Sequence, residues 1–421
     1  MVGTGATMQA LDGSAGPAEE LFSTVRPIPR ISVQAFCESE GVAEPIERCG
    51  QDRRMAKAHL RVHMGGIRAA AEHYASAPTP NLVLIETRSP PSEVLAELEL
   101  LADVCDPGTK VVVVGHHNDV SLYRELTRRG ISEYLVAPIA FSDVLDVIAA
   151  LFVAPDAEPL GRVVAFVGAK GGVGSSTIAH NISWSISKLF SSDVVIADLD
   201  LPFGTANINF DQDPAQGIAE AVFSADRIDD VFLDRLLAKC AEHLSLLAAP
   251  SMLDRTYDFE AEAFSALIET AQRGAPFVAL DVPHVWNDWT RIVLSRADDI
   301  VLTATPDLAN LRNAKNLVDT LKRLRPNDRP PRLILNQVHM PRRPEIPPQE
   351  FSEPLGLEPI GLIPFDPQVF GNAANSGRML AETDPKHPSV EAFHQIAHVL
   401  TGRGEPKKHK KAGLLQRLGM R

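Results

Sequence analysis

Val163-Val164-Ala165-Phe166-Val167 runs directly into Gly168-Ala169-Lys170-Gly171-Gly172-Val173-Gly174-Ser175-Ser176-Thr177, after which Ile178, Ile182 and Ile186 recur at helical spacing. A short apolar run, a glycine-rich turn and an amphipathic helix in that order make a cradle for phosphate oxygens. Glycines let successive backbone N–H groups turn inward, and the helix adds the positive end of its dipole at the same point. Ser176 is placed to put a hydroxyl on Mg²⁺. The plain alternative is a glycine-rich strand-to-helix turn with no ligand, and the lysine and hydroxyls packed among the glycines weigh against it.

Outward from this stretch the chain keeps alternating. Asp193–Ala197, His243–Ala248, Pro276–Leu280, Asp299–Ala304 and Arg332–Leu335 are further short apolar runs, mostly separated by helix-like segments. Upstream, Ile31–Phe36, Asn81–Ile85, Lys110–Gly115 and Ile131–Val136 read as strands, while Ser92–Ala102, Val120–Arg129 and Phe141–Phe152 carry apolar residues at helical spacing. Such alternation implies parallel sheets with helices on both faces. The 421 residues therefore divide into two doubly wound α/β domains, expected at 31–154 and 162–402. Residues 1–30 form a low-complexity leader, 155–161 a polar linker and 403–421 a basic tail. Pro341–Pro348 is proline-rich and reads as a turn or extended loop.

Composition narrows the function. Lys plus Arg is 41 and Asp plus Glu is 54, a net charge of −13, so most of the surface repels a phosphate backbone and no specific nucleic acid is expected as a partner. Met1–Glu20 has neither a basic start nor an apolar stretch, and no apolar run approaches the roughly 20 residues that cross a bilayer. A cytoplasmic protein is expected. Cys37, Cys49, Cys105 and Cys240 are widely spaced without a C-x-x-C pair, which fits reduced thiols. His116 and His117 diverge as neighbours must, and are expected to be exposed or capping rather than metal ligands.

The glycine-rich loop departs from G-x-x-x-x-G-K-[ST]. Ser175 stands where the lysine belongs and Ala169 replaces the first glycine, which leaves Lys170 as the alternative cation. Losing the lysine removes a fixed positive charge from the β- and γ-phosphates, so transition-state stabilisation suffers more than binding. Lys170 to Thr177 resembles the deviant Walker A loop of the MinD/ParA family, K-G-G-V-G-K-T, whose early lysine reaches across a dimer interface to the partner's nucleotide. The resemblance implies ATP and Mg²⁺ as cofactors, an ATP-sandwich homodimer, and binding by Lys170, Gly171, Gly172, Val173, Gly174, Ser175, Ser176 and Thr177. It further implies that Asp198-Leu199-Asp200 carries the switch I carboxylates, with Asp200 orienting the attacking water and Asp198 supporting it. Asp281, ending the apolar run Phe277–Leu280, resembles Walker B and joins Ser176 and Asp200 on the metal side. Asn336 resembles an adenine-contacting asparagine, and Pro364, Phe365 and Asp366 a second base-side loop. Turn chemistry is the alternative for these last residues.

The element order from Ile31 to Phe152 resembles a response-regulator receiver without its chemistry. Phe36 and Cys37 sit where the acidic pair belongs, Glu86 where the phospho-acceptor belongs, Gly115 in place of the hydroxyl and Ala137 in place of the lysine. A docking or dimerisation module is expected, with an unrelated flavodoxin-like domain as the alternative. A degenerate receiver fused to a MinD-like domain, with the loop K-G-G-V-G-S-S-T and Asp198 to Thr205, resembles the CpaE/TadZ family of Flp/Tad pilus assembly proteins over about Ile31 to Val399. This resemblance implies a localisation factor, often polar, that recruits the assembly ATPase and inner-membrane components of the pilus machine.

The tail joins Lys407, Lys408, Lys410 and Lys411 to Leu414, Leu415 and Leu418, which share an arc of about 100° if helical. It is similar to the membrane-binding end of MinD proteins, though three leucines make a weak anchor that needs cations and dimerisation to help. A solvated basic tail is the alternative. Two other functions compete with the assembly factor: a scaffold whose nucleotide site is vestigial, and a ParA-like DNA-partition ATPase, against which the acidic charge argues.

Overall fold

The computed structural model describes residues 27–153, 160–224, 227–250, 253 and 259–403. They fall into two compact units, divided between Leu160 and Gly161. The basic tail and most of the leader lie outside the described residues.

The first unit is a five-stranded sheet of β1 (Ser32–Cys37), β2 (His59–Met64), β3 (Leu82–Thr87), β4 (Lys110–Gly115) and β5 (Glu133–Val136). All pairings are parallel, in the order β2-β1-β3-β4-β5, which is the flavodoxin-like winding. β3 is buried at every position and separates two apolar cores, one around Val33, Leu84 and Ile148 and one around Phe36, Val83 and Val113. Packing starts inside the expected leader. Ile28 is fully buried, and its N–H donates to the carbonyl of Arg54 at 2.7 Å.

At the receiver's phospho-acceptor position, Glu86 lies buried at the end of β3. One carboxylate oxygen accepts from the backbone N–H groups of Glu38 (2.7 Å) and Ser39 (2.8 Å); the other accepts from Ser39 Oγ (2.6 Å) and His116 Nε2 (2.9 Å). His116 is thus a carboxylate partner, not merely an exposed or capping residue. Donors fill the space where a receiver gathers acids around a cation, so the carboxylate is satisfied without metal. Burial works to raise the Glu86 pKa, but the hydrogen bonds from Ser39, His116 and Glu38 outweigh it and hold it below the ordinary 4.5. Glu86 therefore contributes stability that is present above about pH 4.5 and lost as pH falls through its depressed pKa. Glu86→Gln should cost about 1.5–3 kcal/mol at pH 7, the worth of hydrogen bonds to a charged group, and the cost should shrink below pH 4. Thermal melts of both chains across that range check it; an equal cost at pH 7 and pH 3.5 would show that charge is not what the donors hold.

The second unit is an eight-stranded sheet in the order β13-β12-β11-β6-β10-β7-β9-β8. Its strands are β6 (Arg162–Gly168), β7 (Val194–Asp198), β8 (Ala238–Ala241), β9 (Leu244–Leu247), β10 (Phe277–Val282), β11 (Asp299–Ala304), β12 (Arg332–Val338) and β13 (Pro359–Pro364). Every pairing is parallel except β8 with β9. Core residues cover both faces, as the near-continuous apolar runs require. Gly161, expected in the linker, belongs here. Its N–H donates to the Gln272 carbonyl at 2.7 Å, and a Cβ on it would fall 1.8 Å from the Ala275 carbonyl oxygen. Among the described residues no helix is long and apolar enough to cross a membrane.

Candidate phosphate and nucleotide site

β6 lies between β10 and β11, its neighbours in the sheet, and its carboxyl end opens into the glycine-rich loop. Helix Ser175–Phe190 follows, with Gly174 as its N-cap. In an open α/β sheet this is where phosphate ligands collect. Gly172 and Gly174 take φ of +81° and +83°, conformations that side chains with a Cβ resist.

Four side chains hold the loop by its carbonyls. His284 Nδ1 donates to Gly168 O at 2.9 Å, Asn313 Nδ2 to Ala169 O at 3.0 Å, Gln337 Nε2 to Gly172 O at 3.2 Å and Asn336 Nδ2 to Val173 O at 2.8 Å. Among the described residues, the N–H groups of Gly171 to Gly174 have no backbone acceptor. The carbonyls are tied back and the donor edge is left for an anion. Ser175 Oγ, at the place of the missing lysine, is buried without a hydrogen-bond partner, whereas Ser176 is half-buried and Thr177 and Lys170 are exposed. These residues fit a polyphosphate: left-handed glycines, free donors, an orphaned hydroxyl and a helix N-terminus converge. Lys170 lies close enough to Asp307 for its charge to help depress that carboxyl's pKa, which burial alone would raise.

The acids stand on neighbouring strands. Asp198 on β7 is the direct register partner of Asp281 on β10, and both are buried. Burial, then the charge of Asp281, pushes the Asp198 carboxyl up to about 7. Its Oδ1 accepts from Asp200 N at 3.2 Å and its Oδ2 from Ala206 N at 3.1 Å, so Asp198 pins the loop that carries Asp200. Asp200 is half-buried, and burial followed by Asp281 raises its carboxyl as well. Among the described residues no three carboxylate, imidazole or thiol groups converge as a ready cation site. A cation here would draw on the Ser176 hydroxyl and on phosphate oxygens, the usual donors for Mg²⁺.

Asn336 sits under the loop with its amide nitrogen committed to Val173 O, and a Cβ on Gly174 would come within 2.5 Å of that nitrogen. Pro364 ends β13 beside β12, with Val338 paired to it. Asp366 caps helix Pro367–Asn375, its Oδ1 accepting from Val369 N at 3.1 Å, which is the turn chemistry that competed with a base-side role. His284, Asn313, Gln337 and His180 were not singled out from the sequence. The first three brace the loop from distant elements and carry no local signal. His180 did carry one: it stands four positions, about one helical turn, after Ser176 and so shares its side of the helix.

On the sheet face opposite helix Ser175–Phe190, a largely apolar cavity of about 300 Å³ lies behind the loop, lined by Val167, Leu294, Leu317 and Trp286 among others. Its walls combine the packing of that face with Gly168 and Ala169 of the loop and with His284 and Asn313, which brace it.

Comparison with known proteins agrees with this geometry. No family model matches the chain. A crystal structure of the pilus assembly protein CpaE from Caulobacter crescentus is 48% identical over 98% of its own chain and 31% of this one, with a TM-score of 0.30. The chain belongs to the CpaE family of pilus assembly proteins. For the second unit, a ParA-family ATPase from Chlorobium tepidum is 26% identical, with a TM-score of 0.52, covering 56% of this chain and 98% of that one. The septum site-determining protein MinD of Bacillus subtilis is 24% identical over 261 residues, 59% of this chain and 91% of that protein. This CpaE-family chain thus joins a degenerate receiver to a MinD/ParA-type ATPase domain.

Proposed function

We propose that the chain is an ATP- and Mg²⁺-binding localisation and assembly factor of the Flp/Tad pilus system. It works as a nucleotide-dependent homodimer that recruits the secretion ATPase and inner-membrane Tad components to their site in the cytoplasm, at the inner membrane or the cell pole, and turns ATP over slowly. The observation that carries this reading is the loop itself, braced by four side chains with its donor edge free, in a chain of the CpaE family. Lys170, Gly171 to Gly174 and Ser175 to Thr177 take the phosphates. Ser176 holds the cation, with Asp200 and Asp281 acting on its water shell. Asp200 orients the attacking water and Asp198 positions Asp200. The base lies toward Asn336, Pro364 and Asp366 at the ends of β12 and β13. Ser175 cannot supply the charge of a lysine, which favours slow turnover. The basic tail, residues 403–421, is proposed as a supplementary membrane contact.

Calorimetry with Mg-ATP, followed by phosphate release, tests the proposal. No binding at millimolar ATP leaves the scaffold reading, and salt-sensitive DNA binding would favour the partition reading. Lys170→Ala should weaken ATP-dependent dimerisation by about tenfold or more, since a hydrogen bond from a charged donor is worth about 1.5–3 kcal/mol. Asp200→Ala should bind ATP nearly as tightly and lose any hydrolysis. Sedimentation showing one oligomer with and without ATP, in both the natural chain and the Lys170 variant, would overturn the sandwich.

A further inference from the structure

We propose that His180 is a positioning residue that couples the phosphate site to the segment Leu199–Phe210, through Asp281 on one side of its ring and Asn209 on the other. The inference rests on the nucleotide reading of the loop.

His180 is fully buried one turn beyond Ser176 on helix Ser175–Phe190. Its Nδ1 is 3.2 Å from Asn209 Nδ2, and its ring packs 5.4 Å from that of Phe210. An Asn209 amide that donates to Nδ1 leaves the imidazole proton on Nε2. Nε2 lies 3.4 Å from Asp281 Oδ2, yet it makes no aligned hydrogen bond and is an orphaned buried donor. A histidine that merely filled the core would have both nitrogens paired. Here one nitrogen is tied to the segment and the other waits beside an acid of the phosphate site.

The start of the segment is held to the acid pair by Leu199 N, which donates to Asp281 O at 2.9 Å, and by Asp200 N, which donates to Asp198 Oδ1 at 3.2 Å; two later ties end at the same pair. Ala206 N donates to Asp198 Oδ2 at 3.1 Å, and Asn209 reaches Asp281 through His180. Between and beside these ties the segment presents Phe203, 71% exposed, and Ile208, 62% exposed. When the acids reorient toward a cation and phosphates, the short step that aligns Nε2 with Asp281 turns the imidazole, and Asn209 moves with it. Hydrogen bonds of this kind are often long without ligand and tighten once it arrives. The state of the phosphate site is thereby written onto an apolar surface pair.

Hydrogen exchange of the full chain with and without Mg-ATP tests this, comparing the natural sequence with His180→Gln and Asn209→Ala. In the natural chain nucleotide should change exchange by about tenfold both in the loop 168–177 and in 199–210, within the usual range of coupling between sites. Both variants should bind Mg-ATP within about threefold of the natural chain and keep the loop response while losing the response in 199–210. Asn209 is only half-buried, so its variant decides the matter if His180→Gln fails to fold. A full response of 199–210 in either folded variant overturns the coupling, and so does loss of nucleotide binding along with it, which would make His180 a plain support of the loop. A natural chain whose loop itself ignores Mg-ATP overturns the nucleotide reading and the coupling together, whereas a loop that responds without 199–210 overturns the coupling alone.

Discussion

Gly174→Ala should weaken Mg-ATP binding by about 100-fold or more while the second unit still folds. Gly174 holds φ of +83°, and an alanine forced into the left-handed region costs roughly 1–2 kcal/mol. Its new Cβ would also stand 2.5 Å from Asn336 Nδ2, the nitrogen that donates to Val173 O. Asn336 must then withdraw and orphan a buried donor, at about 1–3 kcal/mol, or the loop must turn away from the helix end. Either way the donor edge no longer faces one point, and about 3 kcal/mol of lost positioning is roughly a hundredfold in affinity. Pairing the change with Asn336→Ala should recover part of the loss, because the clash is removed while the φ strain stays. Calorimetry on the single and double variants, with a thermal melt as control, measures both steps. A single variant that bound as well as the natural chain would mean that nucleotide sits elsewhere.

The loop's importance was legible because its chemistry is local: glycine, lysine and hydroxyl positions follow one another along a few residues, and strand and helix flank them. The central strands were legible for a related reason. β3, β6, β7, β10 and β11 are flanked on both sides and buried throughout or nearly so, which leaves unbroken apolar runs. What the pattern did not show were strands at the margins. β2, β8 and β13 each end a sheet, and each mixes polar or proline residues into a half-exposed run: His59-Leu-Arg-Val-His-Met64, Ala238-Lys-Cys-Ala241, Pro359-Ile-Gly-Leu-Ile-Pro364. Helix Glu40–Gly50 was hidden in part by Pro45.

At the site the division is similar. Asp198 and Asp281 are 83 positions apart in sequence, and only the register of β7 with β10 sets them side by side. Each acid could be proposed from its strand end, but the mutual repulsion that raises Asp198 is a property of the sheet. The bracing of the loop by His284, Asn313 and Gln337 is likewise tertiary, since nothing near these residues in sequence refers to loop carbonyls more than 100 positions away. Glu86 belongs to the same class. Its position named it as a failed phospho-acceptor, yet only the fold shows that Glu38, Ser39 and His116 supply donors in place of a cation.

Asp198→Asn should make the ligand-free second unit more stable than the natural one at pH 8, with the gain fading toward pH 4. In the folded chain burial and Asp281 raise the Asp198 carboxyl from 3.8 to about 7. A raised carboxyl binds its proton more tightly folded than unfolded, so its contribution to stability is complete below about pH 4 and is lost as pH climbs through about 7. Asparagine has no proton to lose and can still accept from Asp200 N or Ala206 N, so the variant keeps its stability across that window. The acids share the effect, so the expected gain at pH 8 is on the order of 1–2 kcal/mol, a few degrees in Tm for a domain of this size. Asp307 and Glu345, whose carboxyls are held low, titrate alike in both chains and cancel in the difference. Adding Mg-ATP should narrow the gap at pH 8, because a cation favours the ionised pair that the variant has given up. Melting curves at pH 5, 6, 7 and 8 decide it. A difference that stays flat across them would mean that Asp198 is ionised throughout, and that the two acids do not share a buried site.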